Sequence, residues 1–464
     1  MSALTDTFTS LANAIRSKTG TSETFTPAQM VSAIENIPTW GGVINPFEYV
    51  SSTITSYTGN ENLILENAFM SCSNLTTVSF PECIYICTSA FQSCSSLSNI
   101  SFPKCSYIGT SAFYRCNSLT TVSFPNVSRI GNYAFQSCYS LTNISFPQCS
   151  YIGDGAFYYC NSLTTVSFPE CSYIGYNAFY SCSNLTSISF PKCSHIGIYA
   201  FYCCSSLTTI SFPECSYIEG YAFYYCSSLT TVSFPECSYI GSSAFTGCRS
   251  LTNISFPNVS YIGGYAFGDT KLTNISFPEC SYIGSHAFTG CSSLTNISFP
   301  NVSYIGDYAF YFCTRLSNIS FPKCSYIGTS AFSSCSILTS AIFPECSYIG
   351  SYAFEYCGRL TSISFPNCSY IGNLAFFNCS RLTNISFPKC SYIGTSAFCY
   401  CSSLSSLYLL STSVVSLANT NAFYGTKLYA TGTGSIYVPS SLYNDYITAT
   451  NWSYLSNRIT SYNG

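Results

Sequence analysis

One spacing governs this sequence. Leucine returns every 22 residues from Leu75 to Leu404, sixteen times in all, and every step is 22 except Leu251 to Leu272, which is 21. The intervening residues barely change, and Leu163 to Asn184, LTTVSFPECSYIGYNAFYSCSN, is one copy. A single unit cannot enclose a core, so neighbours must stack and the chain must grow along one axis. A length of 464 residues, which ordinarily implies about two or three domains, here implies one coil. Positions within the unit are numbered below as slots 1 to 22 from the leucine.

Period-two alternation places the side chains. Leu at slot 1, Val or Ile at slot 4 and Phe at slot 6 point inward along a short strand, while Thr, Asn and Ser at slots 3 and 5 face out. Pro at slot 7 ends the strand because it has no N–H for the ladder. Ile at slot 12 returns inward, the Gly after it is expected at a positive φ, and Ala-Phe at slots 16 and 17 supplies the opposite wall. Each turn buries two Phe, worth about 1.5 to 3 kcal/mol apiece before entropy is counted. That gain exists only in the stack.

Charged residues are 7% of the chain, aromatics 17%, and the formal net charge is −3. Ser, Thr, Asn and Tyr must therefore coat the surface. Fifteen thinly spread basic residues give a phosphate backbone no electrostatic footprint, so no nucleic-acid partner is expected. No run approaches the roughly 18 to 20 apolar residues of a membrane span, so no membrane insertion is expected. The opening MSALTDTFTSLANAIRSKTG lacks the basic start and apolar core of a cleaved export signal.

Thirty cysteines fall mostly into two columns. Twelve stand at slot 9, from Cys83 to Cys390, and Val127, Val259 and Val302 fill that slot in the other copies. A position taking Cys or Val alike asks for a small buried hydrophobe. Fifteen more stand at slot 20, from Cys72 to Cys401, and Cys87, Cys203 and Cys399 lie outside both columns. Stacked neighbours about 5 Å apart are within disulfide range. Parallel side chains in a packed core rarely reach the required dihedral, so reduced thiols are expected. No paired CxxC motifs offer converging ligands, and neither a metal nor a cofactor is expected.

The ends depart from the period. Residues 4 to 18 read as an amphipathic helix stopped by Gly20. A second follows, with Thr26 as N-cap, Pro27 at the first position, Gln29 completing a capping box and Pro38 ending it. Helices this short need a partner, or copies of themselves in a homo-oligomer, to bury their apolar faces. The stretch LTDTFTSLANAIRSKTGTSETFTPAQMVSAIENI resembles the N-terminal module of tail and tail-fibre proteins of phages and prophages of Gram-positive bacteria, and the resemblance implies that residues 1–38 dock onto virion tail proteins. Residues 39–62 read as a linker and the start of an N-terminal cap. The solenoid occupies 63–404, and 405–464 hold a degenerate repeat and a terminal strand-helix cap, with SIYVP as the strand and a helix beginning near Ser440.

With the whole unit assembled, L-T-x-I-S-F-P-x-C-S-Y-I-G-x-x-A-F-x-x-C-x-S resembles the BspA-type leucine-rich repeat of bacterial surface proteins, with one residue fewer than that family's usual unit. The resemblance implies a β-rich solenoid, a right-handed superhelix of about sixteen 22-residue turns. It also implies adhesion to host or bacterial surfaces, with no catalytic residues to carry over.

Two outward rows are candidates for contact. Slot 3 and slot 5 make a polar sheet face, including Asn143 and Asn253, whose simplest role is a solubilising ladder. Slot 11 makes a tyrosine row, including Tyr107, Tyr151, Tyr173, Tyr217, Tyr239 and Tyr261, in which Arg129 and His195 show that the side chain reaches solvent. Rigid Tyr among Ser and Asn is the composition of binding loops, although stacked Tyr can equally serve to shield the core. These eight residues are the candidate ligand contacts. Variation around Ala-Phe, for example Tyr176, Asn177, Tyr180, Ile198, Tyr199 and Tyr202, is where specificity can be written. His195 and His286 lie about four units apart. Glu214 and Glu236, adjacent at slot 8, sit in a column of Glu, Lys, Asn and Gln that reads as a solvated edge, so no enzyme is expected.

The expectation is a non-enzymatic binding protein of a phage or prophage tail, located in the virion, whose solenoid contacts a bacterial surface glycan or protein. The alternative is a BspA-type adhesin at the bacterial cell surface or outside the cell. A passive spacer is a third possibility.

Overall fold

A computed structural model describes residues 53–429 and 431–463 of the chain. The attachment module expected over 1–38, with its two helices, lies outside the described residues. Each unit closes one turn and carries three ladders of backbone hydrogen bonds. Slots 3–5 form a three-residue strand, such as Thr165–Ser167, and slots 11–12 a two-residue strand, such as Tyr173–Ile174. Both pair in parallel, slot for slot, with the neighbouring turns. The third ladder, across slots 14–19, is neither helix nor strand. Its N–H groups at slots 15, 17 and 19 donate to the C=O groups at slots 14, 16 and 18 of the next turn, as Asn177, Phe179 and Ser181 do to Ile198, Ala200 and Tyr202 at 3.0, 2.7 and 2.7 Å.

That third ladder dictates residue choice. It requires a positive φ at slots 15 and 19, 55° at Asn177 and 57° at Ser181 for example. An L side chain there costs about 1 to 2 kcal/mol, and a β-branched one is worst. No Val, Ile or Thr occupies either slot from Asn67 to Tyr400. The slot-13 glycines, expected at positive φ, are not there for that reason. A Cβ on Gly109 would lie 2.6 Å from the carbonyl carbon of Cys87, and one on Gly241 would lie 2.5 Å from the amide nitrogen of Gly220. Close approach of stacked backbones, not chain reversal, fixes this glycine.

The core is continuous from end to end. Slots 1, 6, 9, 12, 16 and 17 are buried in every full turn, and the leucines from Leu75 to Leu404 are 0% exposed. The two Phe columns interleave. Phe179 stacks on Phe157 and Phe201 at 5.2 Å within its own column and meets Phe168 edge-on at 6.2 Å across to the other. Both thiol columns are hydrogen-bonded to backbone: slot 9 donates within its turn, Cys171 to the Tyr173 carbonyl at 3.2 Å, and slot 20 donates to the preceding turn, Cys182 to the Phe157 carbonyl at 3.2 Å. All thirty cysteines are free thiols. In the 21-residue turn Thr270 replaces the slot-20 cysteine and donates to the Phe267 carbonyl at 2.8 Å.

The turns are not evenly coupled. The two-residue strands form one unbroken ladder from Leu63–Ile64 to Ser416–Leu417, and slot-17 Phe rings between Phe69 and Phe398 are spaced at 5.0–5.4 Å. The three-residue strands behave otherwise. Their ladder breaks after Ser189, Ser255, Ser298 and Ser364, and after Ser79 and Ser123 it holds by a single residue pair. At these six seams the slot-6 rings stand 5.8–6.4 Å apart, against 5.2–5.5 Å elsewhere. The slot-4 residue just before each seam, Val78, Val122, Ile188, Ile254, Ile297 or Ile363, is only half-buried.

Asparagine at slot 8 coincides with four of the seams, and a Lys–Glu pair of the kind that also spans the wide step from Glu82 to Lys104 precedes a fifth. Asn126, Asn258, Asn301 and Asn367 each donate back to the slot-7 proline carbonyl of the previous turn at 2.7–2.8 Å, and Lys192 pairs back to Glu170 at 2.7 Å. Each tied turn is the last before a seam. Longer lysines then bridge the wider steps, Lys104 to Glu82, Lys323 to Asn301 and Lys389 to Asn367, all at 2.6 Å. The coil is therefore a series of blocks of two or three turns, closed on one side and segmented on the other.

At the N-terminal end the array begins earlier than its leucines. Ser56–Thr58, inside the stretch read as a linker and the start of an N-terminal cap, already pairs with Thr77–Ser79, and the Tyr57 ring stacks 5.4 Å from Phe80. At the other end, strand Ser435–Pro439 continues the three-residue ladder and is followed by a short helix, Tyr443–Thr448. Trp452 and Tyr446, both fully buried, lie over the last turn. The Trp452 indole N–H donates to the Val415 carbonyl at 2.7 Å, and the Val415 N–H donates to the Tyr446 hydroxyl at 3.0 Å.

Candidate interaction surface

The slot-11 tyrosines project from the two-residue strands, and the one-turn step of that ladder brings their rings face to face. Tyr151, Tyr173, His195, Tyr217, Tyr239 and Tyr261 form one column with centroids 4.4–5.3 Å apart and planes within 12° of parallel. The column runs on to Tyr392. Tyr107 stands apart from it, beside Tyr85 at 6.0 Å, because Arg129 takes the slot between and lays its guanidinium 4.1 Å above the Tyr151 ring. Ring faces are consumed by neighbouring rings, so each half-buried tyrosine offers a partner mainly its edge and hydroxyl. Burial raises the Tyr173, Tyr239 and Tyr261 hydroxyls above their ordinary pKa, and they stay neutral near pH 7.

Asn143 and Asn253 lie on the other ladder, exposed on the three-residue strands, and the Phe-Pro corner of each turn separates them from the tyrosine column. Asn143 already accepts from the Thr164 and Thr165 hydroxyls at 2.8 and 2.6 Å, while Asn253 donates to Thr252 at 3.3 Å. The eight candidate contacts are thus not one site. Tyr151, Tyr173, Tyr217, Tyr239 and Tyr261 are brought together, and the two asparagines belong to a face that includes a shallow depression at the seam after Ser189, lined by Ser187, Ile188, Ser189, Thr209 and Ser211.

The third ladder carries the larger exposed aromatic surface. At slot 18, Tyr158, Tyr180, Tyr202 and Tyr224 stack at 4.7, 4.5 and 5.2 Å. Tyr159 and Tyr225 stand edge-on to this column, each 4.4 Å from its neighbour, Tyr199 stacks on Tyr221 at 4.8 Å, and Tyr176 meets Tyr199 edge-on at 5.7 Å. Tyr159, Tyr176 and Tyr225 remain 39%, 43% and 41% exposed. Tyr159, Tyr199, Tyr221 and Tyr225 stand at the positive-φ slots 15 and 19, so the backbone that binds successive turns also displays their rings. The variable residues around Ala-Phe do converge here, and slots 14–19 carry no charged side chain from Gly155 to Tyr225.

One polar pair escaped sequence reasoning. Glu219 occupies the slot-13 position where glycine is usual, and its carboxylate folds back to His195 Nε2 at 2.9 Å and the Ile198 N–H at 3.1 Å. The signal was present: the chain's one slot-11 histidine and its one slot-13 glutamate fall in adjacent turns. His286 lies elsewhere, at slot 15, sandwiched between Tyr265 and Tyr308 at 4.3 and 4.7 Å, and burial lowers its pKa. Glu214 and Glu236 are exposed. Among the described residues no cluster of three or more His, Cys, Asp or Glu is placed to hold a metal, and no helix is long and apolar enough to cross a membrane.

Among solved structures, a leucine-rich repeat protein from Bacteroides ovatus is 23% identical over 86% of this chain and 87% of its own, with a TM-score of 0.43. A leucine rich cell surface protein from Faecalibacterium prausnitzii is 22% identical over 79% of this chain and 87% of its own, with a TM-score of 0.36. No curated protein matches. Residues 62–183, 150–267, 216–339 and 325–444 each match the family described as BspA type Leucine rich repeat region. These matches span the whole ladder of stacked turns, and the chain belongs to the BspA-type leucine-rich-repeat family.

Proposed function

We propose that this protein is a non-enzymatic adhesion protein that holds a bacterial surface through the outer face of its solenoid. The observation that carries the reading is the convergence of tyrosines along the third ladder. Exposed aromatic surface of this extent on an otherwise Ser- and Thr-coated coil marks a contact region. Rings fixed by one another and by a rigid backbone lose little entropy on binding. The family's association with bacterial surface proteins favours a cell-surface or extracellular location. The test is adsorption of labelled full-length chain to bacterial cells: saturable uptake that falls on replacing Tyr159, Tyr176 and Tyr225 by Ser supports the reading, and uptake unchanged by those replacements returns the solenoid to a spacer.

A second reading rests on residues 1–38, whose AIRSKTG and FTPAQM segments resemble the attachment modules of phage tail proteins. On that reading the same face contacts a host cell from a virion. Detection of the chain in purified particles supports it, and recovery only from cell-wall fractions argues against it.

A further inference from the structure

We propose that the tyrosine face between Tyr158 and Tyr225 binds an uncharged polysaccharide laid along the coil axis, successive sugars meeting successive turns. This rests on the adhesion reading and specifies the ligand. Three features of the face point to it. The first is charge: slots 14–19 hold no ionised side chain over this span, the nearby Glu219 is engaged by His195 and the Ile198 N–H, and Asp154 at the edge accepts from the Tyr176 N–H at 3.0 Å. An anionic polymer would find no counter-charge there, and a neutral one loses no ionic hydration on docking.

The second feature is orientation. The slot-18 rings spend their faces on one another, so they present a row of hydroxyls, kept protonated by burial that pushes Tyr180 up to about 12 and raises Tyr202 and Tyr224. Tyr159 and Tyr225 are turned 72° and 74° to that row and keep exposed ring surface, as does Tyr176. Hydroxyl rows suit sugar hydroxyls, and open ring faces suit the C–H face of a pyranose. The third feature is period. The hydroxyl-bearing rings advance by 4.5–5.2 Å per turn, close to the advance of one sugar in an extended chain. A folded protein ligand has no reason to share that step, whereas a linear glycan gains a contact at each turn by avidity along its length.

The test is affinity electrophoresis of the full-length chain in gels containing the neutral polysaccharide fraction of bacterial cell walls, yeast mannan or, separately, purified teichoic acid. Retardation by a neutral polymer is expected, with a tenfold or greater loss for the Tyr159→Ser/Tyr176→Ser/Tyr225→Ser variant and none for Tyr352→Ser/Tyr356→Ser, which lies on the same ladder outside the face. Circular dichroism of each variant checks that the coil is intact. Retardation by teichoic acid alone, by no polymer, or equally for all variants overturns the proposal. Cell adsorption separates it from the adhesion reading: uptake that survives periodate oxidation of the cells leaves adhesion standing through a protein ligand and removes the glycan, while absence of uptake by untreated cells removes adhesion itself.

Discussion

The buried thiols make the coil's stability depend steeply on alkaline pH, and the dependence can be worked out. Cys83, Cys171, Cys215, Cys280, Cys346 and Cys390, all at slot 9 and all 0% exposed, are pushed by burial from an ordinary 9.0 up to about 12. Well below pH 9 these thiols are protonated in folded and unfolded chain alike and contribute no pH dependence. Between 9 and 12 the unfolded chain releases their protons and the folded chain holds them, so stability falls as pH rises. At pH 10 each such thiol costs on the order of 1 kcal/mol, and six together cost several kcal/mol, a large share of the net stability of an ordinary domain. The perturbation is replacement of these six by valine, which Val127, Val259 and Val302 show the slot accepts. The assay is urea unfolding under reducing conditions at pH 8 and pH 10, wild type against variant. Tyrosine titration is common to both chains and cancels. The variant is expected to lose less stability than wild type between the two pH values, by a difference on the order of several kcal/mol. An unchanged difference would refute the argument that these sulfurs lie in a medium that excludes their charge.

Gly241→Ala is expected to lower stability by about 1 to 3 kcal/mol, because its Cβ must displace the backbone of Glu219 and Gly220, whereas Gly268→Ala, whose Cβ meets nothing closer than 3.5 Å, is expected to unfold at the same urea midpoint as wild type. Phe179→Ala removes a ring packed between Phe157 and Phe201 and is expected to cost about 3 to 5 kcal/mol and to split a single unfolding transition in two, read by circular dichroism, since turns couple only to their neighbours. Hydrogen exchange should distinguish the seams: the Phe168 N–H, bonded to the Ser189 carbonyl at 2.9 Å, is expected to exchange at least tenfold more slowly than the Phe190 N–H, which faces the seam after Ser189.

Much of this molecule could be read from a single unit. Leu163, Phe168, Ile174 and Phe179 announce the core because burial repeats wherever the slot repeats, and the alternation in Thr165–Ser167 gives the polar face. What one unit cannot express is the relation between units. The seam after Ser123 coincides with the Asn126 amide reaching back to Pro103, a contact defined only once two turns are stacked, although the recurring Phe-Pro-Asn was visible at 124–126, 256–258, 299–301 and 365–367. The slot-13 glycine was assigned the wrong cause for the same reason: Gly109 answers to Cys87 in the turn before it and not to its own φ. Among the candidate contacts, the tyrosine row was legible as a row, but its self-stacking was not, since a repeat spacing says nothing of which way a ring turns.

The unequal coupling of the turns also bears on how such a coil carries load. Tension along its length finds one flank held by an uninterrupted ladder of paired backbone and the other parted at four steps and held by a single residue pair at two more, so strain concentrates at those six and the rod bows toward its continuous flank before any turn is lost. A tether built this way yields gradually, block by block, where an evenly bonded one would hold rigid and then let go.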